Sequence, residues 1–236
     1  MQPFDLETPP QHLAAIARRQ RIASSFAAAH ICAQKDYAMK NLFSPDNAVM
    51  LLIDHQRGTI KLATSTPYEE IVRNTRALAR TAIESDMPLV LTSSQEDHFQ
   101  GLLLDDIQRI APQAYENRIK RPGVVDCWMY EPFKQAVLAT GRKKIIMAGL
   151  TNDVCIVYPA ISAVEDGFEV QVVADAGGSP TKMADQTSLD RMARHGVTIT
   201  STNQLLAELA TDWASPRGAA IQTILYEENL KHLVEA

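Results

Sequence analysis

The chain has 236 residues, 46% of them apolar but only 6% aromatic, which suffices for one large core filled mainly by aliphatic side chains. Its formal charge of −5 argues against a nucleic-acid binder, and no block of like charge is long enough to read as a tail or membrane patch. The longest aliphatic run, Ala48 to Ile53, is far short of a membrane span.

Met1 to Pro10 carries Asp5 and Glu7 and lacks the apolar core of a signal peptide. The three cysteines, Cys32, Cys127 and Cys155, make neither a CxxC pair nor an even disulfide set. Reduced thiols in a cytoplasmic protein are the expectation. Residues 11–40 contain no Gly or Pro and place Leu13, Ile16, Ala23 and Phe26 at helical spacing, so an N-terminal helical arm is expected over 1–45. Ser44-Pro45-Asp46-Asn47 ends it as a turn.

Short aliphatic runs then alternate with helical segments. Strands are expected at 48–54, 88–93, 115–120, 144–149, 169–174 and 197–200. Helices are expected at 67–85, 101–110, 130–140, 155–166, 182–195 and 203–211. This alternation predicts an α/β fold whose mainly parallel sheet is covered by helices on both faces. Strands buried on both sides read as continuous apolar runs, as these do. One domain is expected over 46–213, followed by a helical tail over 214–236 with Ile221, Leu225 and Leu233 near helical spacing.

In such a sheet, ligands bind beyond the carboxyl ends of the strands. Asp54 ends the first strand, where it is either a functional carboxylate or an ordinary cap. Lys120 and Arg121 end the third, where a solvated cation pair is the alternative to a functional one. The fourth runs through Gly149-Leu150-Thr151-Asn152-Asp153-Val154 into Cys155 at a helix start. There unsatisfied N–H groups and a nearby cation favour a thiolate and could hold an oxyanion, the alternative being a buried structural cysteine. Together, the three strand ends could bring a base, a cation and a nucleophile to one pocket. The loop Asp175-Ala176-Gly177-Gly178-Ser179 lacks GxGxxG and the Walker lysine, which leaves a nucleotide site unsupported. His12, His30, His55, His98, His195 and His232 show no HxH or HExxH spacing, so neither metal nor other cofactor is expected. Cys127, in a loop before Trp128, reads as pocket wall or packing.

The segments Leu51-Leu52-Ile53-Asp54-His55-Gln56, Arg121-Pro122-Gly123 with Trp128, and Ala148-Gly149-Leu150-Thr151-Asn152-Asp153-Val154-Cys155 resemble the isochorismatase-like hydrolases. Tyr158-Pro159-Ala160-Ile161-Ser162-Ala163 and Asp190-Arg191-Met192 fit the same likeness, which runs from about residue 46 to 213 and lies nearest the YcaC-like cysteine hydrolases. The resemblance implies six parallel strands in the order 3-2-1-4-5-6 and an Asp–Lys–Cys triad. Asp54 and Cys155 match it directly. For the cation, register before Pro122-Gly123 selects Arg121, whereas residue type selects Lys120. The resemblance also implies a non-proline cis peptide at Leu150–Thr151, and an oxyanion hole made by the N–H groups of Thr151 and Cys155. Gln56, Trp128, Asn152 and Tyr158 are the candidate pocket wall. A single histidine in Ser93 to His98 departs from the metal-using relatives. The implied function is thioester-mediated hydrolysis of a C–N bond in a small molecule by a homo-oligomer, tetrameric or octameric. The alternatives are ether hydrolysis and a non-catalytic oligomer with a redox-sensitive cysteine.

Overall fold

The computed structural model describes residues 42–235; the expected N-terminal helix and Cys32 lie outside them. Ser44 to Asn47 form a turn, with the Ser44 N–H held by the Asn47 side chain at 2.9 Å. It leads into β1 (Ala48–Ile53), which is buried along its whole length. β2 (Leu89–Ser94), β3 (Ile119–Arg121), β4 (Lys144–Gly149), β5 (Glu169–Val173) and β6 (Thr198–Thr200) complete a parallel sheet in the order β3-β2-β1-β4-β5-β6.

The strand period of two divides β1 between two layers. Ala48, Met50 and Leu52 face α1 (Tyr68–Glu84), α2 (Asp105–Ile110), α7 (Thr202–Ala210) and α8 (Pro216–Leu225). Val49, Leu51 and Ile53 face α4 (Glu131–Leu138), α5 (Val157–Glu165) and α6 (Lys182–Arg194). The result is an open sheet with helices on both sides. Local chemistry sets several helix ends. Thr181, Ser201 and Ser215 accept backbone N–H groups at the starts of α6, α7 and α8. Gly167 and Gly196, at φ 84° and 87°, end α5 and α6 in the left-handed conformation. Among the described residues no helix is long and apolar enough to cross a membrane.

Three elements differ from expectation. The third strand, expected at 115–120, is only Ile119–Arg121, because Pro112 opens a short helix α3 (Pro112–Glu116) that takes Tyr115 into the core. At the sheet edge β3 pairs through three residues, with Ser94 opposite Arg121. The helix expected from 155 starts as a π-turn, Asn152–Ile156, before α5 begins. The apolar positions of the tail divide: the terminal helix, starting at Pro216, buries Ile221 and Leu225 on the body while Leu233 stays exposed. After α8, a π-turn (Tyr226–Leu230) and α9 (Lys231–Val234) finish the described chain.

Candidate active site

Strand order reverses between β1 and β4, so their carboxyl ends open the crevice where an open α/β sheet binds ligands. Asp54 follows β1 there with φ 55°, a conformation uncommon outside glycine. Its N–H is bonded to Thr92 O at 3.0 Å. The peptide bond between Leu150 and Thr151, just past β4, is cis. Gly149 permits the close approach: a Cβ there would run into Ile53 O and the Ile156 side chain.

Arg121 is buried and grips Asp54 bidentately, Nη1 to Oδ1 at 3.0 Å and Nη2 to Oδ2 at 2.7 Å. Nη1 also donates to Thr92 Oγ1 at 2.9 Å, and Nε reaches Val124 O at 3.4 Å. Lys120 departs from its candidate role. The alternation of β3 turns it outward, where its side chain is 63% exposed and pairs with Glu96 at 3.4 Å.

Cys155, half-buried in the π-turn, shares the cavity lining with Asp54 and Arg121 and is close enough to both for their charges to act on its thiol. Burial pushes the Cys155 thiol well up, and Asp54 pushes it further in the same direction. Arg121 and the Thr151 backbone offset this only in part. The expected thiolate is not supported: desolvation and a neighbouring carboxylate push the thiol up, against the pull of the cation. Burial likewise raises Asp54, against the pull of Arg121 and of Cys155. The expected oxyanion donors also separate. The Cys155 N–H is engaged by Thr151 O at 2.9 Å, so only the Thr151 N–H is directed at the sulfur.

A cavity of about 230 Å³ opens above these groups, with Asp54, Arg121, Thr151 and Cys155 at its base. Of the four residues expected in its wall, only Gln56 lines it. Its amide bridges Ser94 N and O at 3.0 and 2.9 Å and also reaches Gly101 O, tying β1 to the loop after β2. Trp128 is a core residue: its indole N–H donates to Asp166 at 2.8 Å and its ring meets Phe168 edge-on. Asn152 is buried as a strut, its Nδ2 donating to Ala174 O at 3.2 Å and to Asp185 Oδ1 at 3.0 Å. Tyr158 lies away from the cavity, on α5 against Arg191. Cys127 packs in the core beneath Trp128, and burial holds its thiol well above the usual range. The residues that do form the cavity mouth, Leu62, Phe99, Val124, Val125 and Val154, were not anticipated. Their segments follow β1 to β4, so the strand-end rule pointed to the loops without saying which apolar residues turn inward. Among the described residues no group of three or more His, Cys, Asp or Glu could hold a metal ion.

Next to Asp54, His55 is buried with Nε2 2.9 Å from Ala176 O, the donor role falling to Nε2. Burial holds its imidazole down at about 4, against an ordinary 6.5, and the bond to Ala176 offsets this only partly. As pH falls from 6.5, the unfolded chain gains this proton while the folded chain stays neutral until about 4. Stability therefore drops across that window, by up to about 3 kcal/mol from this group. Asp54 and Asp175, both raised, act in the opposite direction, so the check is a comparison with His55→Gln. Urea midpoints of the variant should fall less between pH 6.5 and 4.5 than those of the wild type; equal falls would contradict a buried neutral His55.

Comparison with known proteins agrees with this architecture. The isochorismatase domain family matches residues 48–204. The probable hydrolase YcaC of Escherichia coli K12 is 34% identical over 168 residues, covering 71% of this chain and 80% of its own. YcaC from Pseudomonas aeruginosa, solved with hexane-2,5-diol and covalent acrylamide, superposes with a TM-score of 0.77 at 33% identity, over 83% of this chain and 96% of that one. The E. coli YcaC structure, described as an octameric hydrolase of unknown specificity, gives 0.77 at 32% identity over 83% and 95%. A family match across most of the chain, a relative one-third identical and a shared six-stranded topology lead to one conclusion: this chain belongs to the isochorismatase family, in its YcaC-like branch.

Proposed function

We propose that this isochorismatase-family hydrolase cleaves the C–N bond of a small amide through a thioester on Cys155. The observation that carries the reading is the Cys155 thiol in one cavity with an Asp54 carboxylate that Arg121 grips bidentately. Asp54 takes the thiol proton as sulfur attacks the carbonyl carbon. The oxyanion forms beside the Thr151 N–H. Collapse breaks the C–N bond, and Asp54 returns the proton to the departing amine. Water, deprotonated by Asp54, then attacks the thioester carbonyl; the C–S bond breaks, the acid leaves, and Asp54 returns the proton to the sulfur. Arg121 stays charged and moves no proton; it fixes the base and balances its charge. The P. aeruginosa relative carries covalent acrylamide, an electrophile to which nucleophilic side chains add at the vinyl carbon, and this supports a reactive nucleophile rather than amide cleavage itself. The octamer described for the E. coli relative supports a homo-oligomer here.

The test is release of amine or ammonia from a panel of small amides and ureido acids, by wild type and Cys155→Ala, with intact mass spectrometry for the acyl adduct. Turnover and an adduct are expected only where Cys155 is present, from a preparation that light scattering shows to hold several copies. Equal turnover by both proteins would remove the nucleophile, and cleavage of vinyl ethers independent of Cys155 would put ether chemistry in its place.

A further inference from the structure

We propose that the site takes an uncharged substrate whose acyl group is apolar, held by Leu62, Phe99, Val125 and Val154 at the cavity mouth. This rests on the cysteine-hydrolase reading and adds the class of substrate. The four side chains come from the segments after β1, β2, β3 and β4 and line the one cavity that holds Cys155. Each is more than 40% exposed, and Phe99 is 61% exposed. Single exposed apolar side chains are ordinary, but four converging above a nucleophile form a surface that gains by being covered.

The charges in the cavity point the same way. Among the described residues that line it, only Asp54 and Arg121 are ionisable as carboxylate or cation, and they neutralise each other. Both terminal nitrogens of Arg121 donate to Asp54 or Thr92, and Nε faces Val124 O. A substrate carboxylate would therefore shed water beside Asp54 and meet no free cation, a cost that an alkyl group avoids. The nearby cation Lys120 lies in an adjoining depression, which shares Gln95 and Arg121 with the cavity, and is paired there with Glu96 at 3.4 Å. Apolar burial favours a longer acyl chain by up to about fourfold per methylene.

Labelling of Cys155 in the full-length protein reads, without needing turnover, whether the cavity favours apolar over anionic groups, and hydrolysis below reads the acyl side. Acrylamide, N-propylacrylamide and the anionic N-acryloylglycine are compared by site-resolved mass spectrometry, each rate divided by that of the same reagent with glutathione. N-propylacrylamide should label Cys155 at least tenfold faster than N-acryloylglycine. Val125→Arg and Phe99→Lys, both at exposed positions, should each narrow that gap about tenfold by accelerating the anion. An anionic reagent as fast as the propyl one would overturn the proposal, as would ratios unmoved in both variants when their circular dichroism is native. Hydrolysis of butyramide against succinamate separates the two claims. Selective labelling without hydrolysis of any amide supports the pocket assignment and defeats the thioester reading. Hydrolysis with succinamate preferred does the reverse.

Discussion

Arg121→Ala should cost about 3–5 kcal/mol of stability and lower kcat/KM roughly a hundredfold or more. Asp54 and Arg121 are each about 1% exposed at the side chain, and their bidentate contact is what keeps a carboxylate charged in that position. Removing the guanidinium leaves burial, already the largest influence on Asp54, without its main opponent. The carboxyl is then pushed further toward its protonated form, and the protein loses its base along with its ion pair. Two comparisons separate these losses. Lys120→Ala, on an exposed side chain, should stay within about 0.5 kcal/mol and twofold in rate. Asp54→Asn combined with Arg121→Gln removes both charges and should recover much of the stability lost by Arg121→Ala, since the cost lies in the uncompensated charge. It should recover none of the activity. Chemical denaturation and steady-state kinetics on the four proteins decide it; a larger rate loss from Lys120→Ala would hand the cation's place to Lys120.

How much of this was legible beforehand depends on the distance over which each feature is determined. The run Ala48 to Ile53 is a buried strand because only a strand covered on both faces needs six consecutive apolar residues. Asp54 and Cys155 could be placed because strand ends lie on one edge of a parallel sheet wherever the helices go. For the cation, the resemblance left Lys120 and Arg121 both open, its register before Pro122-Gly123 pointing to Arg121, even though the strand carrying it was expected at 115–120, ahead of where it lies. The pocket wall was another matter. Trp128 and Asn152 stand close in sequence to catalytic candidates, yet their partners are Asp166 and Phe168 in one case and Ala174 and Asp185 in the other. Those contacts arise only when separate loops pack, and no local pattern announces them. The state of the thiol was misread for a related reason: a helix start and a cation are visible in sequence, whereas the depth of burial that outweighs them is not.

The thiol's resting state leads to the prediction with the largest effect. If Cys155 reacts from the thiol, with Asp54 as its base, kcat/KM should rise with pH only along the ionisation of Asp54. That limb lies above the ordinary carboxylate value of 3.8, because burial raises the group more than Arg121 lowers it. Above that limb the profile should be flat, as the thiol itself is pushed well up by burial and by Asp54. A preformed thiolate would give a different curve, climbing through the alkaline range with the sulfur. Asp54→Asn distinguishes the two by opposite signs in two measurements. Turnover should drop roughly 10³-fold, since the proton acceptor is gone and removing an essential base costs at least the 10²–10⁴ typical of such groups. Yet the thiol should ionise at lower pH than in the wild type, because the carboxylate that pushed it up is no longer there. Iodoacetamide labelling of Cys155 across pH, read peptide by peptide, follows that shift. A variant that loses both turnover and thiol reactivity at every pH, while still folded, would show that Asp54 positions the cysteine without acting as its base.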